Sequence, residues 1–136
     1  MLNGIILDNA IQQAKRLNTL NISMKQDLEE HLGLPVFMQI ATESEIPDDY
    51  NYIVVETDDY DNKNGDKMSV TETVSFTLFQ TNRPDPTLDH LLMIAIGQSH
   101  KMTLEGTANN YIVMERTGFI VNACTITFTR GVKVGC

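Results

Sequence analysis

The chain has no run of eighteen apolar residues, so nothing in it reads as a membrane-crossing helix. It lacks the glycine-rich phosphate loop, the CxxC pair, the GxSxG elbow and the HExxH helix, the usual sequence marks of nucleotide binding, zinc sites and hydrolysis. Positive charge is scarce: ten Lys and Arg stand against eighteen Asp and Glu, a formal net charge of −8. That balance argues against a binder of nucleic acid or anionic membrane, which needs clustered bases to neutralise phosphates. Cysteine is scarce too. Cys124 lies in an apolar, strand-like run and Cys136 is the final residue, and we expect two free thiols. The opening residues 1–7 carry no basic segment and too short an apolar stretch for a secretory signal, which points to synthesis in the cytoplasm.

What is present is ordinary globular composition: 136 residues, 42% hydrophobic and 21% charged, enough for one core and too few for two. Acid is unevenly spread. Nine Asp and Glu fall in residues 43–66 against Lys63 alone, whereas residues 116–136 hold Arg116, Arg130 and Lys133 and no acid. A subunit so divided can pair head to tail with copies of itself, although a solvated acidic loop explains the acidic half equally well.

Periodicity supplies the elements. Leu7, Ala10, Ile11, Ala14 and Leu17 share one helical face; the pattern weakens at residues 18–21, and Ser23 with Gln26 three residues on opens a second stretch carrying Met24, Leu28 and Leu32. Gly33 and Pro35 end it, so the start is either two helices or one long helix kinked near residues 18–21. Short β-rich runs follow at residues 36–40 and 52–56. Residues 58–67 have turn chemistry, and beyond them Val70, Val74, Phe76 and Leu78 alternate with Thr71, Thr73, Ser75 and Thr77, the clearest strand in the sequence. It should pair antiparallel with residues 52–57.

Asp85 before Pro86 starts a helix whose residues 88–96 are almost all apolar, more than one buried face requires. Either that helix lies deep under the sheet or its far side meets another subunit. Then come a short run at residues 102–104, a turn at 106–110, a strand at 111–115, and a last strand in which Ile120, Cys124, Ile126 and Phe128 share a face. The fold class expected is α+β: a mainly antiparallel sheet of about four to five strands, helices packed on one face, in the order α-β-β-β-α-β-β. Residues 1–136 form a single domain, with residues 1–21 a helical arm on an α+β core of residues 22–136.

The chemistry is sparse. His31 sits near a predicted helix end, where the dipole favours imidazole, and His90 and His100 flank the apolar helix without metal-ligand spacing. Residues 58–66 look at first like a calcium loop. Aligning Gly65 with the loop glycine places Tyr60 and Thr71 where the first and last ligands must be acidic, so an acidic hairpin tip is the better reading. No catalytic, cofactor-binding or metal-binding residue is assigned.

The segments "GLPVF", "IPDDYNYIVVE", an Asp/Asn-rich loop, "VSFTLFQT", a Leu-rich helix and "NACTITFTR", spread over residues 23–133, together resemble the tail terminator, or tail-completion, proteins of long-tailed bacteriophages. The resemblance implies an α+β subunit without enzymatic activity. It implies a hexameric ring that caps the head-proximal end of the tail tube and docks on the head connector, with DNA passing through its bore unbound. Its partners would be copies of itself, the tail tube protein and the connector, first in the host cytoplasm and then in the virion. The amphipathic stretch 2–17 and Cys136 depart from that pattern, the stretch reading as an arm towards a neighbouring subunit. Candidate interface residues are Asp58, Asp59, Asp61, Asp66, Arg83, Arg116 and Arg130 for charge, and Leu92, Met93 and Ile96 for apolar contact. Two other readings are an acidic DNA mimic and a small enzyme in which Asp89, His90 and Arg116 converge.

Overall fold

The computed structural model describes residues 4–61, 69–115 and 117–133. Two helices and five strands run in the order α1 (Gly4–Leu32), β1 (Val36–Met38), β2 (Tyr52–Asp61), β3 (Ser69–Gln80), α2 (Pro86–Ser99), β4 (Thr103–Val113) and β5 (Ile120–Lys133). The strands form one mixed sheet in the order β1-β2-β3-β5-β4. β1 lies parallel to β2, and the other three pairings are antiparallel. The α+β class therefore stands, with a mixed sheet. β1, β2 and β5 begin, and β3 and β4 finish, at one end of the sheet, here the upper end.

The expected alternation sets the core. Ile53, Leu78 and Cys124 lie side by side across β2, β3 and β5, as do Val55, Phe76 and Ile126, and these rows are buried against Met24, Leu28 and Leu32 of α1 and Met93 and Ile96 of α2. Both helices thus cover one face, each fully buried large side chain contributing about 1.5–3 kcal/mol. The other face carries Thr77 and Thr125, whose hydroxyls lie 3.0 Å apart, and an aromatic row in which Tyr52 stacks on Phe79 at 4.6 Å. α2 approaches the sheet closely at Gly97, where an added Cβ would meet the Phe128 ring at 2.3 Å.

Two boundary readings are refined, the first by deciding for one long helix over two. α1 is one continuous helix of 29 residues, about 43 Å long at 1.5 Å per residue, with no break at residues 18–21 and no new start at Ser23. Two members of the polar run that suggested a break find partners without one. Thr19 donates its hydroxyl to the Lys15 carbonyl, and Asn21 accepts from Arg130 Nη2 at 2.9 Å. The helix stops where expected, at Gly33, whose φ of 67° supplies the left-handed residue of a helix C-terminus. The second is a correction: residues 106–110 form no turn. β4 runs unbroken through them apart from an irregularity between Leu104 and Gly106. β5 offers a continuous partner, and Asn122 donates its amide to the Asn109 side chain, so strand pairing overrides local turn preference.

Candidate subunit interface

α2 begins as its sequence dictates: the Asp85 carboxylate accepts from the Leu88 amide at 3.1 Å with Pro86 in the first turn. Met93 and Ile96 point into the core, so two of the three apolar candidates are consumed by the fold and unavailable to a neighbour. Leu92 is partly buried against that core. The exposed apolar surface of α2 is instead Leu88 and Leu91, Leu91 at 60%. The excess apolarity was real; the residues carrying it outward lie on the opposite side of the helix.

The arginines are likewise committed. Arg83 grips Asp89 through Nε and Nη2, both at 2.9 Å, and its Nη2 also donates to the Leu32 carbonyl, which ties the last turn of α1 to the start of α2. The Asp89 carboxylate beside it raises the Arg83 pKa above its usual value. Arg130 is buried and places Nε and Nη2 on Glu72 Oε1 at 2.6 Å. Both arginines are thus engaged within the subunit: Arg130 is a buried guanidinium that needs its partner inside the fold, whereas Arg83 keeps part of its side chain exposed. Asp58 and Asp61 pair within the β2–β3 ladder and Asp59 belongs to the same strand, so the hairpin loop begins later than residue 58. Asp66 and Arg116 lie outside the described residues, as does most of the segment compared with a calcium loop.

Of the three residues named for a small enzyme, Asp89 and His90 are described and Arg116 is not. Asp89 is occupied by Arg83, and His90, which follows it in α2, has a buried Nε2 without a hydrogen-bond partner. His100 Nε2 lies 2.7 Å from Asp27 Oδ2, a link between α2 and α1. Among the described residues no group of His, Cys, Asp and Glu could hold a metal ion, and no helix is long and apolar enough to cross a membrane. Cys124 is buried, which pushes its thiol up from the ordinary value of 9.0.

The surfaces that do stand out lie at opposite ends. At the lower end Arg130 joins β5 to Asn21, and α1 continues from there towards its N-terminus. Over residues 4–16 it buries no side chain: Ile6, Leu7 and Ile11 are exposed, Ile11 at 54%. Beside this free half is a cleft of about 330 Å³ lined by Arg16, Leu20, His100, Lys101, Arg130 and Gly131. At the upper end a second cleft of about 340 Å³ lies between the loop after β1 and the β4–β5 hairpin, lined by Glu43, Ile46, Tyr50, Val113, Met114 and Glu115. Around it Tyr111, Val113, Phe119 and Ile120 are exposed, Ile120 at 66%. Tyr50 holds the two walls together, packing edge-on to Phe119 at 5.8 Å and placing its hydroxyl 3.2 Å from that of Thr117.

No protein-family model matches the chain, and no curated protein is significantly similar to it. The interface candidates therefore rest on geometry. Sequence reasoning missed Lys15, Arg16, Lys101, Glu115 and the exposed hairpin residues. The available signal was two adjacent bases closing an apolar helical face in a chain otherwise short of bases.

Proposed function

We propose that the protein is a structural subunit that assembles with copies of itself into a ring, and that the ring is a phage tail terminator. On this reading about six copies cap the head-proximal end of the tail tube and meet the head connector. The supporting observation is that one subunit presents two unlike, exposed apolar surfaces at opposite ends: Ile6, Leu7 and Ile11 on the free half of α1, and Val113, Phe119 and Ile120 at the β4–β5 hairpin. Solvent-facing apolar side chains gathered in patches favour burial against protein. Because the patches differ and sit at opposite ends, a contact joining them is heterologous, and a heterologous contact whose rotation closes makes a ring.

The family assignment adds the tube and connector as partners, and the net charge of −8 suits a bore that lets DNA pass without holding it. Light scattering on the purified protein, with negative-stain images of the same sample, tests the reading. Rings of about six copies with a central hole are expected. A stable compact dimer would sink the ring and favour the DNA mimic, since a two-fold contact closes at two copies.

A further inference from the structure

Among the cations whose side chains are described, three are neutralised within the subunit: Lys25 by Glu29 at 3.2 Å, Arg83 by Asp89 and Arg130 by Glu72. The remaining three, Lys15, Arg16 and Lys101, have no carboxylate partner among the described residues, and all gather at the lower end, Arg16 and Lys101 in the cleft itself. The upper end carries acid: among the described residues Glu45, Asp48, Asp49, Asp85 and Glu115 are all exposed there, with Glu115 on the rim of a cleft whose apolar lining includes Ile46, Val113 and Met114.

The free half of α1 matches that cleft in pattern as well as charge. Leu7, Ile11 and Lys15 are spaced four apart and form one row about 12 Å long, apolar first and cationic last. Asp8 is the sole carboxylate on this half. A row of helix side chains entering an apolar floor behind a carboxylate rim is helix-in-groove recognition. The Asp58 end of β2 is also acidic, but β3 separates it from β5 and the basic cleft.

We infer that the free half of α1 docks in the upper-end cleft of a second copy of this chain. Leu7 and Ile11 seat against Ile46, Val113 and Met114, while Lys15, Arg16 and Lys101 face the carboxylates of Glu115 and the loop bearing Asp48. The apolar row supplies affinity and the charges set orientation and register. This rests on the self-assembly reading above and names the surfaces it uses.

A charge swap tests it. One variant carries Lys15→Glu and Arg16→Glu, another Asp48→Lys and Glu115→Lys; all four positions are exposed, so folding is retained, and circular dichroism checks that it is. Sedimentation equilibrium should show self-association weakened at least about tenfold in each, since like charges then meet. Combining all four changes in one chain, or mixing the two variants in equal amounts, should restore it. A four-fold variant as impaired as either pair, or variants that assemble like the wild type, would overturn the docking while leaving ring assembly standing. A folded wild-type chain that stays monomeric throughout would overturn both. Duplex DNA retained by the wild type at low salt and lost on the Lys15 and Arg16 reversals would replace the second copy with phosphate as the occupant.

Discussion

Gly97 is where helix–sheet packing is tightest, and Gly97→Ala tests that packing directly. A methyl placed there lies 2.3 and 2.4 Å from Cζ and Cε1 of Phe128, well inside the 3.5–4.0 Å at which carbon contacts turn favourable. The ring has little room to yield. Phe128 is fully buried and its ring centroid sits 5.1 Å from that of Phe76, itself fully buried. Two effects of opposite sign compete. Alanine gains about 1 kcal/mol over glycine in helix propensity, whereas overpacking of a filled core costs about 1–3 kcal/mol, sometimes more. With the whole ring edge in the way the upper part of that range applies, and the net loss is about 1–2 kcal/mol. For a chain of this size that lowers Tm by roughly 3–8 °C. Urea unfolding followed by circular dichroism at fixed protein concentration measures it, with Phe128→Leu as the second arm of a cycle. The double variant should lose less than the sum of the singles, by about 1 kcal/mol. A Gly97→Ala protein as stable as the wild type would mean that α2 sits farther from β5 than described, and the reasoning about that layer would fail.

Other consequences follow from the same contacts. Arg130→Met should destabilise by about 3–5 kcal/mol because it leaves Glu72 buried without a counter-charge, and adding Glu72→Leu should recover most of that, both read from chemical denaturation. Burial holds the Cys124 thiol above its ordinary 9.0, so the native state keeps the proton more tightly than the unfolded chain. Its contribution is then complete below pH 9.0 and is lost as pH rises through the folded value; a urea midpoint falling between pH 8 and 10.5, less steeply in Cys124→Ala, checks the sign. Removing residues 1–13 should change monomer stability by less than about 1 kcal/mol, because that segment buries no described side chain, yet should abolish sedimentation-detected self-association.

Much of the fold was legible because side-chain period reports which face is buried. Val74, Phe76 and Leu78 announced their strand, and the antiparallel partnership with residues 52–57 followed from chain proximity. What periodicity cannot report is the neighbour. Leu7, Ala10, Ile11, Ala14 and Leu17 make a regular helical face, yet only Leu17 is buried, because the sheet ends before the helix does. In the middle of α2, residues 91–96, every residue is apolar, so the sequence holds no contrast from which to tell Met93, in the core, from Leu91, on the surface. Arg83 and Arg130 read as free charges because their acids, Asp89 and Glu72, are recognisable as partners only once the chain is folded. Turn residues misled at 106–110 for the same reason: Asn109 and Asn110 lie opposite Cys124 and Ala123, and a strand already in place outweighs a local preference.

The polar links along α1 bear on how assembly could be made specific. Met24, Leu28 and Leu32 bind the helix to the sheet, but apolar contact has little directionality and would tolerate small rotations or a sliding register. Three polar ties remove that freedom: Asn21 to Arg130, Asp27 to His100, and the Leu32 carbonyl to Arg83. Each joins a defined turn of α1 to a different part of the fold, so together they fix its azimuth and its axial position. The free half begins just N-terminal to the first of these ties, and a continuous helix transmits orientation along its length. The row Leu7, Ile11, Lys15 is therefore aimed before any partner arrives, which reduces the ordering cost of association. If that is the purpose of the buried pair, Arg130→Met combined with Glu72→Leu should leave a stable monomer whose self-association is weakened. Unchanged association in that double variant would reduce Arg130 and Glu72 to a role within the core alone.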